Sequence, residues 1–134
     1  VATRLTAAES SAKAAYGQAG LSPADIGVFE YHDAFSIMAA LSLESAGFCQ
    51  PGEGPKLAIE NKIQFDSDIP VATMGGLKAR GHPVGATGIY QLVEATLQLQ
   101  ERAGATQVKR PKYAMTQNIG GSGSNIITHI LQAE

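Results

Sequence analysis

Apolar residues fall at helical spacing in three stretches of this chain, and three shorter segments have the length and composition of strands. Ala12, Ala15, Tyr16 and Ala19 recur at i, i+3, i+4 and i+7 and stop at Gly20, which predicts an amphipathic helix ending on a glycine. Thr6-Ala7-Ala8-Glu9 has capping-box spacing at its start. Ser22-Pro23-Ala24-Asp25 predicts a capped turn feeding a buried strand over Ile26-Gly27-Val28-Phe29-Glu30-Tyr31. After Asp33, a candidate cap, Phe35, Ile37, Met38, Ala39, Ala40, Leu41 and Leu43 leave almost no polar face before Gly47, as expected of a helix inside the domain.

From Phe48 to Asn61 glycines and prolines break the period, so an irregular loop is expected there. The densest glycine stretch, Met74 to Gly88, runs into Ile89, Leu92, Val93, Thr96 and Leu97 at helical spacing, with the helix expected to end near Gly104. Lys112–Gln117 and Asn125–Leu131 predict two closing strands across the glycine-rich Asn118–Ser124 segment. Helices alternating with buried strands imply an α/β layer with a mixed sheet, its last two strands paired as a hairpin.

With 134 residues, 44% hydrophobic and 16% charged, the chain has the length and composition of one globular domain. A net charge of -2 gives no basic excess for nucleic acid or an anionic membrane. No apolar run reaches the length of a membrane span and no signal-peptide pattern opens the chain, so a cytoplasmic setting is expected. The start at Val1, without an initiator methionine, fits a fragment, a processed chain or simple methionine removal. The single cysteine, Cys49, provides neither an internal disulfide nor a metal cluster, and no metal site is expected.

Three constellations carry candidate chemistry. His82 is delivered by a glycine loop to a helix start, where unsatisfied N–H groups disfavour imidazolium and keep a neutral base available. Pro83 holds it extended, and Gly81 and Gly85 permit close approach to the backbone. A turn histidine that only caps the helix has the same spacing. His32-Asp33 stands at a strand end, where α/β proteins place ligands. There His32 can hold a water or face an oxyanion while Asp33 orients its surroundings, and an ordinary helix cap reads alike. In Asn118 to Ser124 the glycines, Gly120 and Gly121 among them, expose backbone N–H groups that suit a thioester or phosphate oxygen, and a plain hairpin turn looks similar. Cys49 and His129 read as structural, and Glu101 to Lys112 as a solvated surface.

In that order, His32-Asp33-Ala34-Phe35, Gly75-Gly76-Leu77-Lys78-Ala79-Arg80-Gly81-His82-Pro83-Val84-Gly85-Ala86-Thr87-Gly88 and Asn118-Ile119-Gly120-Gly121-Ser122-Gly123 resemble the C-terminal domain of thiolases. The likeness runs from Arg4 to Leu131, and the fourteen-residue glycine stretch is highly specific. The branch looks like the archaeal acetyl-CoA acetyltransferases and the sterol-carrier-protein-X thiolases, which carry HDxF where others have NEAF. The resemblance implies a three-layer half-thiolase over residues 1–134, with the half that bears the nucleophilic cysteine not in this chain.

It further implies that His82 deprotonates the attacking cysteine and that His32 holds a water in the oxyanion site. Asn118 takes the place of an acid/base cysteine. Asp33, Gly81, Gly120 and Gly121 are the expected substrate-binding positions. The other position at which the family places that thiol is Ala34, and an Asn-Pro pair before the double glycine is replaced by Ala72-Thr73. A coenzyme A thioester is the implied substrate, with no permanently bound cofactor. The expected partners are an N-terminal thiolase domain and a second copy of the chain, whose apolar face would otherwise be bare. An acyltransferase is the leading expectation, with the chain inactive alone. A retro-aldolase acting on a β-hydroxyacyl-CoA, using His82, Tyr31 or Tyr90, and a noncatalytic acyl-CoA or lipid carrier are the alternatives. All readings but the carrier require His82, His32 and the Asn118 segment to converge on one pocket at the sheet edge.

Overall fold

A computed structural model of the chain describes residues 4–134; the start at Val1 lies outside them. Helix α1 (Thr6–Ala19) buries Ala8, Ala12 and Ala15 and ends where Gly20 turns left-handed, φ 67°, and donates its N–H to the Tyr16 carbonyl. The expected Thr6–Glu9 capping box does not form. Leu5 takes the cap position, and Glu9 instead binds Arg4 at 2.6 Å and Lys13 at 2.9 Å, which holds its carboxyl below the usual range. The box at the next turn does form: the Ser22 hydroxyl and N–H both reach Asp25 around Pro23.

The sheet is mixed and has the order β1-β2-β3. Strand β1 (Val28–Glu30) runs parallel to β2 (Tyr113–Gly120), which pairs antiparallel with β3 (Asn125–Gln132) as the expected hairpin. Strand β1 is shorter than the apolar run that predicts it, and beyond Glu30 the His32 ring reaches β2, at Asn118. On its other side Phe29 bridges to Val71, exchanging bonds with Pro70 and Ala72. Strand β2 reaches Gly120, so Asn118 is a strand residue, and only Gly121 to Ser124 form the turn.

Alternation along the strands separates two faces. Phe29, Tyr31 and Met115 point into one core with Ala12 of α1, Leu43 and Leu57. Val28 and Ala114 point into the other with Ala95 of α5 (Thr87–Leu99). The result is three layers, as expected: α1, α2 (Ser36–Ser45) and α3 (Gly54–Ile59) on one side, the sheet, and α5 on the other. Three expectations need correction. Only the second half of α2 is inside, because Phe35 and Ile37 are exposed at 70% and 61%. The segment after Phe48 contains α3, since proline in a first turn starts a helix rather than breaking one. There a Cβ on Gly54 would lie 2.4 Å from the Ala40 carbonyl oxygen, so only glycine allows α3 to approach α2. Helix α5 ends at Leu99, before the tight turn of Gly104–Thr106.

Candidate active site

His32 follows the carboxyl end of β1, Asn118 lies near the carboxyl end of β2, and His82 precedes α5, so all three meet where two parallel strands finish. The His32 and His82 rings stand edge to face, centroids 4.9 Å apart at 90°. Both line a cavity of about 500 Å³ with Ala34, Asn118, Ile119, Gly120 and Gly121. Phe35, Leu77 and Val84 form its apolar wall. A larger cavity, about 770 Å³, lies at the opposite end of β2 around Arg110 and Lys112, and the residues lining it include no histidine or cysteine.

His32 is buried, and its Nδ1 lies 3.1 Å from Asn118 Oδ1, an acceptor. The Ile119 N–H points at the same nitrogen from 3.4 Å. One nitrogen cannot both donate to the first and accept from the second, and with Asn118 Oδ1 as the acceptor the proton is assigned to Nδ1. Nε2 is then a lone pair. Burial lowers the His32 pKa, and the nearby His82 adds to this against the raising effects of Asn118 and Asp33, so the neutral form is favoured. A neutral ring in this tautomer is able to accept one hydrogen of a water and leave the other for a carbonyl oxygen.

His82 is fixed by a residue that pattern reading passes over. Its Nδ1 lies 2.6 Å from the hydroxyl of Thr87, itself fully buried at the first position of α5. That hydroxyl has the Pro83 carbonyl 3.2 Å away as an acceptor for its own hydrogen. Thr87 therefore accepts from Nδ1–H, and the His82 lone pair resides on Nε2, the state of a general base. The threonine is visible in the sequence five residues after His82, but only the folded turn shows that it reaches the ring.

Glycines hold the walls. A Cβ on Gly88 would sit 3.1 Å from Asn118 Nδ2, and Gly81 takes φ 100°, a conformation that disfavours any side chain. Asp33 and Gly81, two of the expected substrate-binding positions, have structural contacts of their own. Asp33 is buried, and its Oδ1 accepts the Leu77 N–H at 2.7 Å, capping α4 (Gly76–Arg80) instead of α2. It does not line the cavity, and neither does Gly81, whose part is the turn into His82. A Cβ on Gly76 would collide with the Asp33 carboxylate at 2.5 Å.

Cys49 packs against the first core, lines a different cavity with Tyr16 and Glu44, and has its thiol pushed up to about 11 by burial. His129 is exposed on β3 opposite Thr116. Tyr31 is buried on the far face of β1, with its phenol raised chiefly by burial. Tyr90 is partly exposed beneath the Arg80 guanidinium, 5.2 Å from its centroid.

The family profile described as thiolase C-terminal domain-like matches residues 2–133. The chain belongs to that family. An acetyl-CoA acetyltransferase of Methanothermobacter thermautotrophicus is 46% identical over 128 residues, covering 96% of this chain and 33% of the relative. That of Methanocaldococcus jannaschii is 40% identical, covering 96% and 34%. Sterol carrier protein 2 of Bos taurus is 38% identical over 118 residues, 88% of this chain and 22% of its own length. The thiolase-type domain thus spans about a third of the archaeal relatives it matches. A solved chain of an Ltp2-ChsH2(DUF35) aldolase superposes with a TM-score of 0.84 over 94% of this chain and 31% of that one, at 24% identity, a likeness of fold. Among the described residues no helix is long and apolar enough to cross a membrane.

Proposed function

We propose that this domain is the acid–base half of an acyl-CoA active site whose nucleophilic cysteine stands on an N-terminal domain of the same protein. The observation that carries the reading is the single cavity in which His82, His32 and Asn118 meet. His82 Nε2 takes the proton of the cysteine thiol. The thiolate attacks the thioester carbon, and the oxyanion is met by a water held on His32. As the tetrahedral adduct collapses, the carbon–sulfur bond to coenzyme A breaks, and the departing thiolate recovers the proton from His82. The backbone of Gly120 and Gly121 borders the space for the acyl group.

The N-terminal domain is argued from α5, which is built inside out. Its buried face carries Thr87, Gln91, Glu94 and Gln98 beside the core residue Ala95, and its outer face Ile89 and Val93, exposed at 61% and 49%, with Leu92 and Leu97 beside them. A water-facing helix reverses that pattern, so a second body covers this side. A chain that spans a third of its archaeal relatives supports the remainder of the same protein as that body. A second copy docking by the same face is the alternative expectation.

A retro-aldolase reading is favoured by one feature. The cavity holds Ala34 and Asn118 where a thiol would serve the substrate α-carbon, and among the described residues Cys49 lines another cavity. In that reaction His82 takes the proton of a β-hydroxyl, the Cα–Cβ bond breaks, and the enolate of the thioester is reprotonated. Intact-mass analysis of the full-length protein with acetyl-CoA separates the two. Covalent gain of one acetyl group supports acyl transfer. Cleavage of a β-hydroxyacyl-CoA without such an adduct supports the lyase and overturns acyl transfer, and the absence of both reactions overturns both readings.

A further inference from the structure

We propose that Arg80, locked by a proton-sharing pair of carboxyl groups from Glu30 and Glu94, fixes the turn that presents His82, so that all three are positioning residues. They come from three elements: Glu30 is the last residue of β1, Glu94 lies on the inner face of α5, and Arg80 ends α4. Glu30 is fully buried, and the Glu94 and Arg80 side chains are 7% and 14% exposed. The Arg80 Nε donates to Glu94 Oε1, and its Nη1 donates to the Gly81 carbonyl at 3.1 Å. Gly81 has φ 100° and ψ 167°, and nothing lies within 4 Å of where its Cβ would be, so packing does not hold this residue. The arginine does, and His82 is the next residue.

Charge balance gives the pair its proton. Glu30 Oε1 accepts the N–H and hydroxyl of Thr73 at 3.1 and 3.4 Å. Glu94 is the carboxyl neighbour that acts on Glu30, and the buried Oε2 of each, like the Nη2 of Arg80, has no partner in the protein. Two ionised carboxylates against one guanidinium would bury an excess negative charge. One proton between them satisfies both oxygens and leaves a neutral triad. Burial and the neighbouring Glu94 both raise the Glu30 pKa, in keeping with a shared proton. Arg80 is the cation that acts on Glu30, Gln98 faces the site through Thr73, the Tyr31 phenol lies near Glu30, and the Tyr90 ring lies beneath the Arg80 guanidinium.

The catalytic consequence rests on the base role proposed for His82, whereas the positioning claim does not, and the test reads both in the full-length protein. If one proton is shared, an amide can stand for the protonated acid. Glu30→Gln and Glu94→Gln should each keep kcat within about threefold, less than the loss of one hydrogen bond. The double variant and Arg80→Met lose the charge pair, and kcat should fall about 100-fold, the effect of an ångström of misplacement, with KM changed far less. The nitrogen resonances of the His82 ring should match wild type in both single glutamine variants and shift in the other two. If the double variant fails to fold, Arg80→Lys, which keeps the charge but not the fork that reaches Gly81, should still shift them. Unchanged His82 resonances in the arginine variants, or a single glutamine variant as damaged as the double, overturn the proposal. Absence of acyl-CoA turnover in wild type would sink the functional reading alone, since the resonances still decide this one.

Discussion

Thr87→Val isolates the interaction that sets the His82 tautomer. The two side chains have nearly the same shape and similar helix propensity, so the substitution deletes a hydroxyl from a fully buried position without opening a cavity. The Pro83 carbonyl that loses this donor keeps the N–H groups of Ala86 at 2.7 Å and Thr87 at 2.9 Å, so no orphan is created there. Burying a methyl in place of the hydroxyl offsets the lost bond, and the Tm should move by only a few degrees. The catalytic effect has a different origin. Removing the 2.6 Å contact to Nδ1 frees the ring to rotate and to carry its proton on either nitrogen. A neutral hydrogen bond is worth about 1 kcal/mol net, so kcat/KM should drop about five- to tenfold. Thr87→Ser, which retains the oxygen, should recover most of it. Steady-state kinetics on the full-length protein with circular dichroism as the folding control make the comparison. Wild-type kcat/KM in the valine variant, or a serine variant as poor as valine, would refute the assigned tautomer.

Gly88→Ala places a methyl 3.1 Å from Asn118 Nδ2 and should push that amide off His32, lowering kcat with a stability loss of about 1–3 kcal/mol, read by chemical denaturation. His32 has a folded pKa below its ordinary 6.5, so protonation favours the unfolded chain. Stability should therefore be full above about pH 6.5 and fall as the pH drops below it, and His32→Gln should flatten that part of the Tm-against-pH curve. A parallel decline in both proteins would count against a buried neutral His32. The Ile89→Lys, Val93→Lys double variant should lower the Tm of the full-length protein by several degrees and reduce self-association of the isolated chain in sedimentation. On a truly solvated face it would change stability by less than about 0.5 kcal/mol.

Much of the architecture is legible in the sequence because local signals agree with burial. The alanines of α1, the Ser22–Asp25 turn and the alternating runs of β2 and β3 each have one strong reading. Glycine and proline misled where their function is packing rather than interruption. Gly54 exists for the Ala40 carbonyl and Pro55 for the start of α3, and neither partner is visible along the chain. Asp33 beside a helix reads as that helix's cap, yet its carboxylate reaches 44 positions ahead to Leu77. The gathering of His32, His82 and Asn118 could be expected from motif order, since strand ends and a helix start share one side of an α/β layer. Thr87 and the Glu30–Glu94–Arg80 triad could not. Glu30 and Glu94 look like ordinary charged residues on a strand and a helix, and only the face each occupies in the fold buries them. The apolar spacing of α5 shows a helix but not which way its apolar face points, and here Ile89 and Val93 point outward.

The central claim is that His82 is the base that activates a cysteine supplied by the rest of the protein. The direct test is the pre-steady-state rate of acyl-enzyme formation from acetyl-CoA by full-length wild type and His82→Ala, followed by quenched-flow and intact-mass analysis. His82 is largely exposed, so its removal should leave the Tm nearly unchanged. The account predicts that wild type acquires one acetyl group and that the variant does so at least about 100-fold more slowly. Acylation of the variant at the wild-type rate would contradict it.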